Sequence, residues 1–224
     1  MIDDQRDNVY DFNKAGDKIY PGKGNDEIIN IDGHEVVSSE GNDTYSGQNI
    51  KLAFFFDPEA VTVNLLDGTA KDGYGGTDTI TGKVLEVYLS PAGGTFTGTE
   101  NFEKVIIWGS NNTIITSGGN DRIQIRDDTS SDYTIKKVGD DIHLDHKTLD
   151  IKNIVNGTAF VVWDQSDELD IIDTGHYYHS GLASTLTKTI YSFNKILGRG
   201  RRSSIYPRTP VKGDPPTLLV FTGL

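Results

Sequence analysis

Aspartates that follow glycine-rich turns at a nearly fixed interval are the residues of this chain best suited to chemistry. Ala15-Gly16-Asp17-Lys18-Ile19 is followed nine residues on by Gly24-Asn25-Asp26-Glu27-Ile28, and Gly41-Asn42-Asp43-Thr44-Tyr45 repeats the phrase. Gly33-His34-Glu35-Val36-Val37 fills the interval between the last two. A second run sets Glu103, Asn112 and Asp121 nine apart, and Gly76-Thr77-Asp78-Thr79-Ile80 is an isolated copy. The aspartates supply negative charge, and turns of glycine let backbone carbonyls converge without steric cost. Carboxylates and carbonyls together are the ligands of calcium, a hard cation that takes about six to eight oxygens. Candidate metal ligands are therefore Asp17, Gly22, Gly24, Asp26, Gly41, Asp43, Asp78 and Asp121. A single Gly-Asn-Asp turn forms without metal as well, so the weight rests on the copies in register at 17, 26 and 43. Glu35 and Asn112 read as structural.

Such turns need elements that recur at the same interval. Two residues beyond each aspartate stands a large apolar residue (Ile19, Ile28, Tyr45, Ile80, Ile123). On a strand that residue shares the aspartate's face and points into a core. The chain thus reads as short strands joined by glycine turns, an all-β fold. Pro21-Gly22-Lys23-Gly24-Asn25-Asp26-Glu27-Ile28-Ile29 carries the fullest copy of the phrase, and Gly118-Gly119-Asn120-Asp121-Arg122-Ile123 the next. This pattern resembles the haemolysin-type, or RTX, calcium-binding repeat, over roughly residues 13–125.

The resemblance implies an elongated parallel β-roll or β-helix-like body, each nine-residue unit forming half a coil. It places Asp17 near Glu35 and Asp26 near Asp43, with calcium between successive turns and metal binding coupled to folding. The chain departs from the pattern at Ala15, Glu35, Glu103 and Asn112, and the step from 35 to 43 is one residue short. Several turns are accordingly expected to lack an ion.

Bulk composition agrees with a thin, turn-rich fold: hydrophobic residues make up 35% of the 224, and 25 are glycine. Residues 1–173 carry 14 Lys and Arg against 32 Asp and Glu, whereas residues 174–224 carry 7 against Asp214 alone. An acidic body repels phosphate, which argues against a nucleic-acid partner; it also repels itself, which a bound cation would relieve. With no cysteine, disulfides and thiolate metal sites are excluded. No apolar run has the length of a membrane span, and the acidic, polar opening residues do not read as a signal peptide.

Three segments follow: calcium-binding repeats over 1–50, a degenerate repeat body over 51–173 and a basic arm over 174–224. Beyond residue 125, Tyr133–Val138, Ile142–Leu144, Leu149–Ile151 and Ala159–Trp163 read as strands. Ser184–Leu197 has helical spacing at Leu186, Ile190, Phe193 and Leu197. Arg199, Arg201, Arg202 and Arg208, set among four prolines, suit an extended arm that docks on a protein partner or a second copy.

Motifs for catalysis are wanting. No His-Glu-x-x-His, Gly-x-Ser-x-Gly or phosphate-binding Gly-Lys loop occurs, and His143 and His146 cannot share a strand face. Acid pairs such as Asp140-Asp141 are the residues a hydrolase or lyase would use. The leading expectation is a non-catalytic, calcium-stabilised structural or adhesive protein, exported without an N-terminal signal or carried on a virion surface. A surface glycan is a further candidate partner. A small β-helical hydrolase or lyase, and a secretion or calcium module of a larger toxin or enzyme, are the alternatives.

Overall fold

The computed structural model describes residues 5–11, 18–108, 110–126, 128, 132–165, 168–173 and 191–193. Asp17 and the arginines of the arm lie outside them. The described residues form twenty strands and no helix. The strands are short because a glycine, aspartate or asparagine turn interrupts nearly every β-branched run.

First in order come β1 (Val9–Asp11), β2 (Lys18–Ile19), β3 (Glu27–Ile29), β4 (Glu35–Val37), β5 (Thr44–Tyr45) and β6 (Ile50–Ala53). Odd-numbered strands lie parallel in one sheet and even-numbered strands in another, so the chain crosses between sheets at every turn. Three strands then break the alternation: β7 (Val61–Asn64), β8 (Thr69–Lys71) and β9 (Thr77–Ile80) form an antiparallel meander within the first sheet. Winding resumes through β10 (Val84–Tyr88), β11 (Gly94–Thr97), β12 (Lys104–Ile107), β13 (Asn112–Ile115) and β14 (Asp121–Arg126). A second meander, β15 (Tyr133–Val138), β16 (Asp141–His146) and β17 (Lys152–Asn156), joins the first sheet. The second sheet ends in β18 (Ala159–Gln165), β19 (Glu168–Asp173) and β20 (Tyr191–Phe193), paired antiparallel.

Each full circuit advances the chain by about two repeat units: Val9 lies opposite Glu27, and Glu86 opposite Lys104. Alternate side chains turn inward. Val36, Leu52, Val87, Val105 and Ile123 stack on successive rungs of the second sheet, facing Ile28, Tyr45, Phe96, Ile114 and Val155 of the first, all essentially inaccessible to solvent. Both sheets run through residue 50, because β6 pairs with β4 and β9 with β5.

Outward on the second sheet, Lys18, Glu35, Lys51, Glu86, Lys104 and Arg122 occupy one row. Lys18 and Glu35 pair at 2.5 Å, and Glu86 and Lys104 at 3.0 Å. Opposite charges across neighbouring strands stabilise a sheet modestly.

Two expectations for local structure change. Tyr191–Phe193, within the expected helix at 184–197, is a strand against Leu169–Ile171; antiparallel ladder pairing overrides a weak helical periodicity. Leu149-Asp150-Ile151, expected as a strand, belongs to the turn before β17. There the His146 ring nitrogen accepts the Thr148 and Leu149 amides at 3.2 and 3.0 Å and bends the chain.

Candidate metal centre

The turns that open β3, β5 and β9 stack on one edge, the first two entering from the second sheet and the third from β8 of the first. Gly24-Asn25-Asp26, Gly41-Asn42-Asp43 and Gly76-Thr77-Asp78 are successive rungs of that stack, since β3, β5 and β9 are adjacent and in register. Their glycines are demanded by contact. A Cβ on Gly41, where φ is +146°, would lie 1.8 Å from the Gly24 carbonyl oxygen, and one on Gly76 would lie 1.7 Å from that of Gly41. No other residue type fits this column.

Two hydrogen-bonded ladders run along the stack in opposite directions. In one, the backbone amide of Asn8 donates to Asp26 Oδ1 at 2.8 Å, that of Asp26 to Asp43 Oδ1 at 2.8 Å, and that of Asp43 to Asp78 Oδ1 at 2.9 Å. In the other, the amides of Asn25, Asn42 and Thr77 donate to the side-chain oxygens of Asp7, Asn25 and Asn42 at 2.7–2.8 Å. Asn-Asp is therefore the pair in which one side chain reaches forward to the next coil and the other reaches back.

Each aspartate keeps one oxygen outside the ladder, and its fate differs from rung to rung. Asp43 Oδ2 accepts the Ser39 and Tyr45 hydroxyls at 3.0 and 3.2 Å. Oδ2 of Asp78 is buried with no hydrogen-bond partner, a costly arrangement for a carboxylate. Burial, assisted by the Asp26 charge, lifts the Asp43 carboxyl to about 6. Burial together with the charges of Asp43, Asp72 and Asp57 lifts Asp78 to about 8.

Asp121 stands on the opposite edge, where chain passes from the first sheet to the second. Its Oδ1 accepts the Glu103 amide at 2.8 Å, Oδ2 has no partner, and burial beside Glu103 raises it to about 8. Glu103 thus holds an aspartate position, and its carboxylate accepts the hydroxyl and amide of Thr99. Glu35 does not: it pairs with Lys18, in the row of Lys104 and Arg122, one residue beyond the row of Glu103 and Asp121. Setting Glu35 at an aspartate position, opposite Asp17, is corrected on that register.

Gly22 and Gly24 adopt positive φ in the turn after β2, and the Gly24 amide donates to the Glu40 carbonyl at 3.0 Å. Beside this turn lies a cavity of about 360 Å³, lined by Tyr20, Phe56 and Tyr74 with Ser38, Ser39 and the half-exposed pair Lys23–Glu40. Away from it, His146 faces Asp128 at 3.7 Å and packs edge-on against Tyr133.

Asp57 and Asp72 were not on the repeat pattern, yet both are buried beside the ladder. The meander resets the nine-residue count, so periodicity could not find them; Asp72-Gly73 and Gly75-Gly76, bracketing a turn, were the available signal. Carboxylate oxygens left without a donor are of the kind calcium takes, and to that extent Asp78 and Asp121 fit such an ion. Among the described residues, no group of three or more His, Cys, Asp or Glu side chains is arranged to hold a metal ion. Among the described residues there is no helix long and apolar enough to cross a membrane.

Neither a family model nor a curated protein matches this chain.

Proposed function

We propose that this protein is a calcium-stabilised β-roll with a structural or adhesive, non-catalytic role on an exterior surface, either secreted or on a virion. One observation carries the reading: a stack of buried aspartates in register, Asp26, Asp43 and Asp78, in which Asp78 retains an oxygen without a hydrogen-bond partner. Those carboxylates repel one another, and a divalent cation would convert the repulsion into attraction. Asp26, Asp43 and Asp78 would hold calcium along one edge with the carbonyls of the Gly22, Gly24 and Gly41 turns, and Asp121 along the other. Calcium would supply cross-linking between coils and no chemistry. The exposed rings of Tyr20, Phe56 and Tyr74 around a cavity whose only charges, Lys23 and Glu40, pair with each other suit contact with a neutral, hydroxyl-rich surface such as a glycan. Assembly through Arg199, Arg201, Arg202 and Arg208 rests on the charge contrast between arm and body.

Calorimetric titration of the chelator-treated full chain with calcium tests the reading. Binding is expected, and Asp26→Ala should weaken it about tenfold or more. A chain that takes up no calcium overturns the proposal.

A further inference from the structure

Four aromatic side chains stand exposed among the described residues, and three of them, Tyr20, Phe56 and Tyr74, line one cavity. The fourth, Phe102, is not part of it. Large apolar rings left in water and gathered at one concave place mark a contact surface. They arrive from different coils: Tyr20 follows β2, Phe56 follows β6, and Tyr74 lies in the turn between β8 and β9. None of the three belongs to the core, so the winding does not call for them there.

Hydrogen bonds hold the cavity's shape. The Tyr74 hydroxyl donates to the Phe56 carbonyl at 3.1 Å, which ties two of the aromatic residues together. The Tyr10 hydroxyl donates to the Pro21 carbonyl at 2.7 Å and braces the chain just after Tyr20. The Ser38 and Ser39 hydroxyls donate to Asp57 Oδ2 at 3.2 Å and to Asp43 Oδ2 at 3.0 Å, so toward a ligand they offer lone pairs and no proton. Donors come instead from Lys23, whose ammonium pairs with Glu40 at 2.6 Å, both side chains being half exposed. That pair cancels its own charge while keeping a donor and an acceptor side by side.

A ligand suited to this place has apolar faces for the rings, hydroxyls at its edge for the serines and the ion pair, and no net charge. Pyranose sugars have that makeup, with C–H groups on their flat faces and hydroxyls around the rim. The acidic body disfavours anionic ligands in addition. At about 360 Å³ the cavity lies at the small end of ligand sites, which span about 300–1,000 Å³; it suits a short length of sugar better than a folded partner. We propose that Tyr20, Phe56 and Tyr74, with the Lys23–Glu40 pair, form a binding site for a neutral oligosaccharide, the rings stacking on its faces and the pair bridging neighbouring hydroxyls. The site rests on the adhesive reading above and gives it a ligand class and a place. None of the residues that would touch the sugar in this way is a candidate metal ligand, so sugar binding and calcium binding can be tested apart.

The test titrates the full chain by calorimetry with neutral tetrasaccharides of glucose, galactose, mannose and N-acetylglucosamine, and with tetragalacturonate as an anionic probe. At least one neutral probe is expected to bind with a Kd of about 1 mM or tighter, and the anionic one to bind more weakly. Phe56→Ala and Tyr74→Ala should each weaken that binding about tenfold or more. Phe102→Ala, which removes an exposed ring elsewhere, should leave it unchanged. Tyr74→Phe keeps the ring and should keep most of the affinity. Lys23→Met combined with Glu40→Gln removes the pair without touching a ring and should weaken binding as well; should a ring variant fail to fold, this double variant decides. Failure of every neutral probe to bind, tighter binding of tetragalacturonate, or an equal loss in Phe102→Ala overturns the site. Calcium uptake by a chain that binds no saccharide defeats this inference alone, and saccharide binding by a chain that takes up no calcium defeats only the calcium proposal.

Discussion

The same edge of the molecule is built twice, once with charge and once without. Between residues 24 and 78 the rungs carry Asp26, Asp43 and Asp78, each accepting the amide of the coil before it. Between residues 111 and 153 the rungs carry asparagines. The Lys152 amide donates to Asn111 Oδ1 at 2.7 Å, and Asn112 Nδ2 donates to Asn153 Oδ1 at 3.0 Å. Both stacks run in register, but Asn112 and Asn153 join side chain to side chain where the aspartates accept backbone amides. An asparagine carries a donor and an acceptor on one side chain, whereas a carboxylate carries acceptors alone; Asn112 Oδ1 and Asn153 Nδ2 are left over on one half and Asp78 Oδ2 on the other. The winding therefore does not require aspartate, and the charged half must be explained by something besides the turn.

Removing calcium is the strongest way to test that contrast. Chelation is expected to destabilise the charged half by several kcal/mol, seen as faster amide exchange in β3, β5 and β9 while β13 and β17 keep their protection. Equal loosening of both halves would show that the contrast is chemical decoration. Gly41→Ala should cost about 3 kcal/mol in thermal or urea unfolding, from left-handed strain and collision with the Gly24 carbonyl. It should do so with or without calcium, because packing is at stake.

Acidity gives a third, smaller effect. Asp78 and Asp121 titrate near 8 and Asp43 and Asp57 near 6 in the folded chain, all raised chiefly by burial. The unfolded values lie near 4, so the folded state binds more protons across that interval. Stability in chelator must then fall as pH rises from about 4 to about 8 and level off above. Saturating calcium should flatten or reverse the slope. Asp78→Asn should remove part of the decline and raise metal-free stability at pH 8 by about 1–2 kcal/mol. Smallest of all, Glu35→Ala should cost at most about 1 kcal/mol, for a partly exposed ion pair, and leave calcium affinity unchanged, whereas Asp26→Ala weakens it.

Much of the fold was legible because repetition is a strong signal. Gly-x-Asp followed two residues later by an apolar residue marked the strand starts at Glu27 and Thr44 and the inward facing of Ile28, Tyr45 and Ile80. Glu35 was misaligned by one residue because its turn runs Gly-His-Glu, and nothing local distinguishes an acid that precedes a strand from one that begins it. The pairing of Asp43 with Asp78, 35 residues apart, was hidden by the meander between them.

By itself, the sequence determined an acidic, glycine-punctuated all-β chain and the positions where turns must be glycine, because those follow from local sterics and side-chain alternation. Tertiary structure decided which carboxylates meet. A carboxylate's partners lie one coil away, at a distance along the chain set by whatever is inserted between, so the Asp43 amide reaches Asp78 only once β7–β9 has folded back into the sheet.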